Sequence, residues 1–329
     1  MESRPRDAES RAALPRFSLI IPVYKNEGSI PELLAACAVL CGEVAGALEV
    51  VFVVDGSPDR CWELLRAALP TQPFASQLCL HSRNFGSFAA IRTGLGVARG
   101  RVMAVMAADL QEPTSLARDF FRRLDAGEAD VAVGVREGRS DPVLSGLSSR
   151  LFWWVYRKWV LPEIPPGGVD MFGCTRQVAE RLLELPERNS SLVGQLFWVG
   201  FKRIEVPYVR QERRHGASAW SFSKKVKYLL DSVYAFSDLP IRALKWLGGT
   251  SAAVGAVVSV IVLVARLLGK IEVPGYTPIV LSVTVFGGLN AFGLGLIGEY
   301  VWRTFENTKG RPLAITASRH DFPGSRGAS

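Results

Sequence analysis

Residues 101–113, RVMAVMAADLQEP, contain the pair of side chains with the clearest chemical use. An apolar run ends there at Asp109, and Gln111 follows two residues later. In an extended chain these two side chains point to the same side. A carboxylate and an amide oxygen so placed can bind a hard cation such as Mg²⁺, with water and phosphate oxygens as its other ligands. The alternative is a polar strand end before a helix that starts at Pro113, because such strand ends are common.

The elements that must position this pair alternate between two periodicities. Between residues 17 and 135, five short apolar runs are separated by segments with helical spacing. This rhythm predicts a doubly wound α/β layer with a mostly parallel sheet. Ligands of such sheets bind beyond the carboxyl ends of the strands. The residues at four of those ends that could contact a ligand are Pro22, Tyr24, Glu27, Asp55, Ser57, Asp59, Asp109, Gln111 and Arg136.

The composition of the 329 residues narrows the classes of partner. A hydrophobic share of 48% excludes a disordered chain, and a net charge of +8 favours nucleotides, nucleic acid or anionic lipid. The five cysteines form no CxxC motif, which indicates buried reduced thiols of a cytosolic domain rather than a zinc site. Residues 1–16 are charged and lack the apolar core of a signal peptide, so we expect a flexible tail there.

The C-terminal third has the pattern of a membrane anchor. Two uncharged runs, of 19 residues (247–265) and 23 residues (276–298), are each long enough to cross roughly 30 Å of hydrocarbon. We expect a hairpin of two transmembrane helices; burial in a soluble core is the alternative, which the length disfavours. A basic amphipathic segment precedes the first run, and basic flanks place the α/β domain in the cytoplasm. The expected organisation is a flexible tail (1–16), a catalytic domain (17–220), an amphipathic juxtamembrane helix (221–243), two transmembrane helices (244–302) and a cytoplasmic tail (303–329).

Six motifs occur in a fixed order along the chain: IPVYKNEGSI, VVDGSPDR, SRNFGSFAAIRTGLGVARG, ADLQEP, ERNSSLVGQLFWVGF and RRHGASAW. Together they make residues 17–310 similar to the family 2 glycosyltransferases, and specifically to the membrane-bound polyprenyl-phosphate glycosyltransferases. The resemblance implies a GT-A fold, a nucleotide-sugar donor (a UDP-hexose), a divalent metal (Mg²⁺ or Mn²⁺) and undecaprenyl phosphate as the lipid acceptor. It also implies a homo-tetramer that crosses the bacterial inner membrane more than once.

The resemblance assigns roles to residues in the donor half of the site. Asp55 accepts a hydrogen bond from the nucleotide base or the ribose; judged from the residues alone, a turn before Gly56 explains it equally well. The resemblance also implies that the nucleotide base and ribose are bordered by Pro22, Tyr24 and Glu27. It implies that the metal ligands are Asp109 and Gln111.

The same resemblance places acidic and basic residues at the reacting centre. Asp170, in GGVDMFGCTR, is expected near the reacting atoms with Arg176 close by. Arg213 is expected at the donor pyrophosphate or the lipid phosphate, and Arg136 and Arg150 at the acceptor phosphate. Asp170, Arg136 and Arg213 are the predicted catalytic residues. Each arginine could instead be a solvated surface charge, but their convergence and the bidentate fit of guanidinium to phosphate favour binding.

Three departures from the family pattern concern charge. Ala107 stands where most relatives have an acidic residue, Ala219 stands where many have a lysine, and Asp55 is not one of a pair of aspartates. They imply a metal site with few protein ligands.

The predicted function is inverting hexose transfer to undecaprenyl phosphate; the alternatives are a transferase with a non-lipid glycan acceptor and a catalytically degenerate membrane scaffold. Nucleic acid is not an expected partner, because no recognition motif accompanies the basic run.

Overall fold

The structure, a computed structural model, describes residues 15–137, 154, 156–158, 160–165, 168–211, 222–269 and 276–325. Within these residues, eight strands join one mixed sheet. In chain order they are β1 (Phe17–Val23), β2 (Leu48–Val54), β3 (Ala75–His81), β4 (Val102–Val105), β5 (Val131–Arg136), β6 (Phe172–Thr175), β7 (Arg203–Tyr208) and β8 (Thr316–Phe322). Across the sheet their order is β7-β5-β6-β4-β1-β2-β3-β8.

The centre of the sheet is parallel. β1 pairs with β2 and β4, and β2 pairs with β3, all in parallel. Every residue of β2 and β4 is buried, as expected for apolar strands covered on both faces. β6 runs antiparallel to both β4 and β5, so β5 points the same way as β4, and β7 is parallel to β5. The last residues of β1, β2, β4, β5 and β7 therefore lie along one side, which we call the carboxyl edge: Val23, Val54, Val105, Arg136 and Tyr208.

Helices cover both faces of this sheet. They are α1 (Ile30–Glu43), α2 (Cys61–Ala68), α3 (Ser87–Val97), α4 (Thr114–Asp125), α5 (Arg176–Leu183), α6 (Leu192–Trp198), α7 (Phe222–Phe236), α8 (Leu239–Leu267) and α9 (Tyr276–Thr308). The apolar sides of α1, α2 and α4 pack on one face with Leu19 and Ile21, and those of α3, α5 and α6 pack on the other with Ile20. This alternation confirms the predicted α/β layer. All five cysteines are buried, as expected.

The amphipathic helix α7 packs partly against the catalytic domain. Leu229, Val233 and Phe236 of its apolar stripe join the cluster formed with α3, α5 and α6. The Phe236 ring fills a notch at Gly194, where an added Cβ would lie 2.3 Å from the ring. Leu230 of the same stripe stays 47% exposed. The juxtamembrane helix expected over 221–243 thus ends at Phe236, and the domain covers much of its apolar side.

The first apolar run lies in α8. Among the described residues, Leu239–Ala265 is the one helical segment long and apolar enough to cross a membrane, and none of its most apolar stretch is buried. α9 packs beside it in the opposite direction, with Phe286 against Gly255 and Leu244 against Gly293. Over its described residues α9 does not meet the same criterion. The hairpin of two transmembrane helices is therefore not confirmed and stays a prediction.

The segment predicted as a cytoplasmic tail, 303–329, is partly built into the fold. α9 continues to Thr308, and β8 pairs antiparallel with the edge strand β3. Asp321 of β8 accepts a hydrogen bond from Arg99 (2.9 Å). β8 was not predicted from the sequence because TASRHDF is mostly polar, as an edge strand with one solvated face can be. The chain that follows α9 therefore returns to the α/β domain.

Arg303 joins α9 to the α/β domain. Its guanidinium donates to Asp231 of α7 (2.8 Å), to Glu299 of α9 (2.7 Å) and to the carbonyl oxygen of Asn189 (3.2 Å). Only 15% of its side chain is exposed. From the sequence this arginine is a charge that follows an apolar run; the structure shows that it also connects three segments.

Candidate active site

Asp109 and Gln111 lie on a turn at the carboxyl edge rather than in a strand. β4 ends at Val105, and Leu110 has a left-handed backbone with a φ of 54°, a conformation that leucine adopts only when its surroundings impose it. The Gln111 N–H donates to the Asp109 carboxylate (3.3 Å). The extended geometry used to predict the pair was wrong, but the turn brings the two residues together at the expected edge.

This turn is bonded to the chain that follows β7. The Gln211 N–H donates to the Gln111 carbonyl oxygen (2.9 Å). Arg210 Nη2 donates to Gln111 Oε1 (2.7 Å), and Arg210 Nε lies 4.0 Å from Glu112 Oε1. Arg210 was not predicted from the sequence. The signal that could have found it is its place directly after a strand that ends at the carboxyl edge.

Glu112 is a buried carboxyl group behind the turn. It is 2% exposed, and within the described residues its Oε2 atom has no hydrogen-bond partner. Burial raises the pKa of Glu112 to about 7, and the charges of Asp170 and Asp109 add to this shift. The guanidinium groups of Arg210 and Arg136 oppose it. Glu112 was not predicted from the sequence either, because an acidic residue next to a proline at the start of a helix is common.

Asp170, Arg136 and Tyr208 form one hydrogen-bonded group at the same edge. Arg136 donates from Nε to Asp170 Oδ2 and from Nη2 to Asp170 Oδ1 (2.6 Å). The Tyr208 hydroxyl donates to Asp170 Oδ2 (2.8 Å). Burial opposes the charged form of Arg136, but the hydrogen bonds and charge of Asp170 outweigh it and raise the pKa of Arg136. The structure thus brings two predicted catalytic residues into contact and adds Tyr208, which sequence analysis did not select.

Asp55 has three hydrogen-bond partners within the protein. It is 2% exposed, and its Oδ1 accepts from His81 Nδ1 (2.8 Å) and the Phe85 N–H (2.8 Å). Its Oδ2 accepts from the Gly86 N–H (2.7 Å). Gly56 permits the close approach, because its φ is +56° and a Cβ there would lie 2.2 Å from the backbone after β3. Asp55 therefore holds the loop after β3, and its hydrogen bond with a nucleotide base or ribose stays a prediction.

The loops after β1 and β2 meet where the border of the base and ribose is predicted. Pro22 and Tyr24 are partly exposed there, and Glu27 is exposed. Glu27 accepts a hydrogen bond from the Arg60 N–H (3.1 Å), and its own N–H donates to the Asp59 carboxylate (3.2 Å). Glu27 thus ties the two loops together. The contacts of these residues with a nucleotide stay a prediction.

Arg176 lies away from the carboxyl edge. It follows β6, which runs antiparallel to β4 and therefore ends where β4 begins. Its guanidinium donates to carbonyl oxygens at that opposite edge, among them the Gly100 oxygen (2.6 Å). The four residues of β6 separate it from Asp170, so the structure does not place Arg176 in the site. Arg150 and Arg213 lie outside the described residues.

Comparisons with known proteins identify the family of this chain. The profile of Glycosyl transferase family 2 matches residues 18–181. The putative glycosyltransferase CsbB of Bacillus subtilis is 31% identical over 296 residues, which cover 90% of this chain and 89% of CsbB. The SfII prophage-derived bactoprenol glucosyl transferase of Shigella flexneri is 30% identical over 306 residues, which cover 93% of this chain and 98% of the relative. The chain belongs to glycosyl transferase family 2.

As a family 2 glycosyltransferase, the protein is an enzyme with the GT-A fold, and both predictions are confirmed. The region matched by the family profile includes Asp109 and Asp170 and ends before Arg210. Among solved structures, the mannosyltransferase PcManGT of Pyrobaculum calidifontis, in complex with GDP-Man and Mn²⁺, aligns with 87% of this chain and 88% of its own. The identity is 19% and the TM-score 0.45.

The predicted metal ligands carry oxygen atoms of the kind that bind a divalent cation. Asp109 and Gln111 offer a carboxylate and an amide oxygen, which Mg²⁺ and Mn²⁺ prefer. The Oε2 atom of Glu112 is a further carboxylate oxygen without a hydrogen-bond partner in the described chain. Across the residues that the structure describes, no group of three or more His, Cys, Asp or Glu side chains is placed to hold a metal.

Proposed function

We propose that this glycosyltransferase moves a hexose from a UDP-sugar to undecaprenyl phosphate, with inversion, at the cytoplasmic face of the bacterial inner membrane. One observation carries the proposal. The Asp109 turn and the Asp170–Arg136 pair share one edge of a domain whose chain continues into the exposed apolar helix Leu239–Ala265. Relatives named bactoprenol glucosyl transferase support a polyprenyl phosphate as acceptor. A homo-tetramer and a second membrane span belong to the same proposal.

The acceptor phosphate is already ionised near neutral pH, so the reaction needs no strong general base. One of its oxygens forms a bond to the anomeric carbon while the bond from that carbon to the nucleoside diphosphate breaks, and the electron pair leaves with the diphosphate. The protein then contributes positioning and charge stabilisation. A divalent cation held by Asp109 and Gln111 would supply neutralisation of the charge on the leaving diphosphate.

Arg136 is the described residue that we assign to the acceptor phosphate. In the structure two of its N–H groups are held by Asp170, so an arriving phosphate competes with that carboxylate for the guanidinium. Asp170, which also accepts from Tyr208, is then released to orient the acceptor or a sugar hydroxyl. Arg213 and Arg150 are proposed as further phosphate contacts.

The proposal is tested by transfer of a labelled sugar. Membranes that contain the protein are incubated with radiolabelled UDP-sugars and GDP-mannose in Mg²⁺ or Mn²⁺, and the lipid extract is tested for an acid-labile glycosyl phosphate. We expect Asp109→Asn to lower the rate at least about 100-fold. Asp119→Asn is the matched control, because Asp119 lies on α4 and its contact with Arg122 is loose (3.7 Å).

Two results would contradict the proposal in different ways. Label in a glycan fraction and none in the lipid extract would exclude the lipid acceptor but keep the glycosyltransferase. A wild-type protein that yields no labelled product from any of these donors would favour the catalytically degenerate scaffold.

A further inference from the structure

Arg210 carries a positive charge at the carboxyl edge that is only loosely paired within the described chain. Arg136, by comparison, gives two N–H groups to Asp170. Among the described residues, the Arg210 side chain gives one hydrogen bond, and its acceptor is the neutral amide of Gln111. The contact with Glu112, at 4.0 Å, is longer than a hydrogen bond. The Arg210 side chain is 34% exposed, so its guanidinium keeps both net charge and N–H groups for a ligand.

Three contacts hold this guanidinium beside the Asp109 turn. The backbone bond from Gln211 to Gln111 (2.9 Å) fixes the chain on which Arg210 sits. The bond from Nη2 to Gln111 Oε1 (2.7 Å) fixes one side of the guanidinium. The buried Nε faces Glu112, whose side chain is 3% exposed. A guanidinium held in this way loses little further freedom when it binds an anion.

We propose that Arg210 binds a phosphate group of the reacting substrates next to Asp109. This inference rests on the proposed glycosyl transfer, because both substrates of that reaction carry phosphate. Phosphate oxygens match the planar guanidinium, which can donate two parallel N–H bonds to them. Residue 107 is an alanine, where most relatives have an acidic residue. A phosphate that approaches this turn therefore meets one repelling carboxylate fewer than it would in those relatives. The phosphate belongs either to the diphosphate of the donor or to the lipid acceptor.

Direct binding measurements separate these two sources. Full-length protein in detergent is titrated calorimetrically with UDP, GDP, inorganic pyrophosphate and farnesyl phosphate, all in EDTA so that no metal contributes. We expect Arg210→Gln to weaken binding by at least about 10-fold, for the diphosphate probes if Arg210 binds the donor and for farnesyl phosphate if it binds the acceptor. Arg122→Gln, on the exposed side of α4, is the matched control and should bind as the wild type does.

The inference is wrong if Arg210→Gln binds every probe within about twofold of the wild-type affinity, or if the wild-type protein binds none of the probes. Removing Arg210 also leaves Glu112 buried without its positive neighbour, which lowers stability. The double variant Arg210→Gln/Glu112→Gln removes both charges and should bind as weakly as the single variant. Recovery of wild-type affinity in the double variant would show that Arg210 acts only through folding.

A further pair of measurements keeps this inference separate from the proposed function. Arg210→Lys keeps the charge without the fork of N–H groups, so we expect an affinity between those of the wild type and Arg210→Gln. Transfer to lipid is measured on the wild-type protein alone. A wild type that binds the diphosphates but makes no labelled lipid would contradict the proposed function and leave the Arg210 binding result valid.

Discussion

Replacing Asp55 by alanine distinguishes the role that the structure gives this residue from the one that the sequence predicted. In the structure its carboxylate accepts three hydrogen bonds, from His81 and from the N–H groups of Phe85 and Gly86. Asp55→Ala removes all three and leaves a buried histidine and two N–H groups without their acceptor. The variant should therefore lose stability even when no nucleotide is present.

The size of this loss follows from the contacts. A hydrogen bond to a charged group contributes about 1.5–3 kcal/mol, and bonds that share one carboxylate are not additive. We expect Asp55→Ala to lower the free energy of unfolding by about 3–5 kcal/mol, which is a large part of the total for a domain. For a domain of this size that corresponds to a fall in Tm of about 10 °C. Asp55→Asn keeps one oxygen acceptor and should lose about half as much.

Thermal unfolding of the purified full-length protein in detergent, followed by tryptophan fluorescence without nucleotide, measures this effect. Asp119→Ala, which removes a partly exposed carboxylate with a loose contact at 3.7 Å, should shift Tm by less than about 2 °C. The reasoning is refuted if Asp55→Ala melts with the wild type while its affinity for UDP falls more than about tenfold. That result would support the predicted direct contact between Asp55 and the nucleotide.

Three further predictions concern the stability of the same protein in EDTA. Ser191→Ala removes the N-cap of α6 and the hydrogen bond to the Tyr228 hydroxyl (2.8 Å), and should cost about 1–2 kcal/mol in urea unfolding. Burial raises the pKa of Glu112 to about 7, so the folded protein holds an extra proton below that pH. The free energy of unfolding should fall by about 3 kcal/mol as pH rises from about 4.5 to 7, and Glu112→Gln should remove this dependence. Gly100→Ala places a Cβ 2.6 Å from the Ser18 nitrogen and should cost about 1–3 kcal/mol, seen as a lower Tm.

Each of these three has a contrary result. Gly42→Ala, in an open position within α1, is the control for Gly100→Ala and should not destabilise; equal Tm values for the two variants would refute the steric argument. A pH profile that Glu112→Gln leaves unchanged would mean that another group titrates. Urea midpoints of Ser191→Ala equal to those of the wild type would show that neither bond of Ser191 contributes.

Much of the fold could be predicted because it is encoded in local periodicity. Apolar runs such as β1 and β2 and the helical segments between them follow from the spacing of their own residues. The convergence of Asp109 and Arg136 at one edge followed from that alternation, since parallel strands all end on the same side. The prediction for Arg176 did not hold, because β6 runs antiparallel and the direction of a strand within a sheet is not written in its periodicity.

By itself the sequence determined the alternation of strands and helices over residues 17–135, the family motifs and the apolar run of α8, because each depends on residues close together in the chain. Only the tertiary structure decided which groups meet. Arg210 and Gln111 are 99 positions apart and Asp55 and Phe85 are 30 apart. β8 pairs with β3 although α8 and α9 lie between them in the chain. Such contacts depend on strand order, strand direction and backbone angles like that of Leu110, which are set by packing of the whole domain.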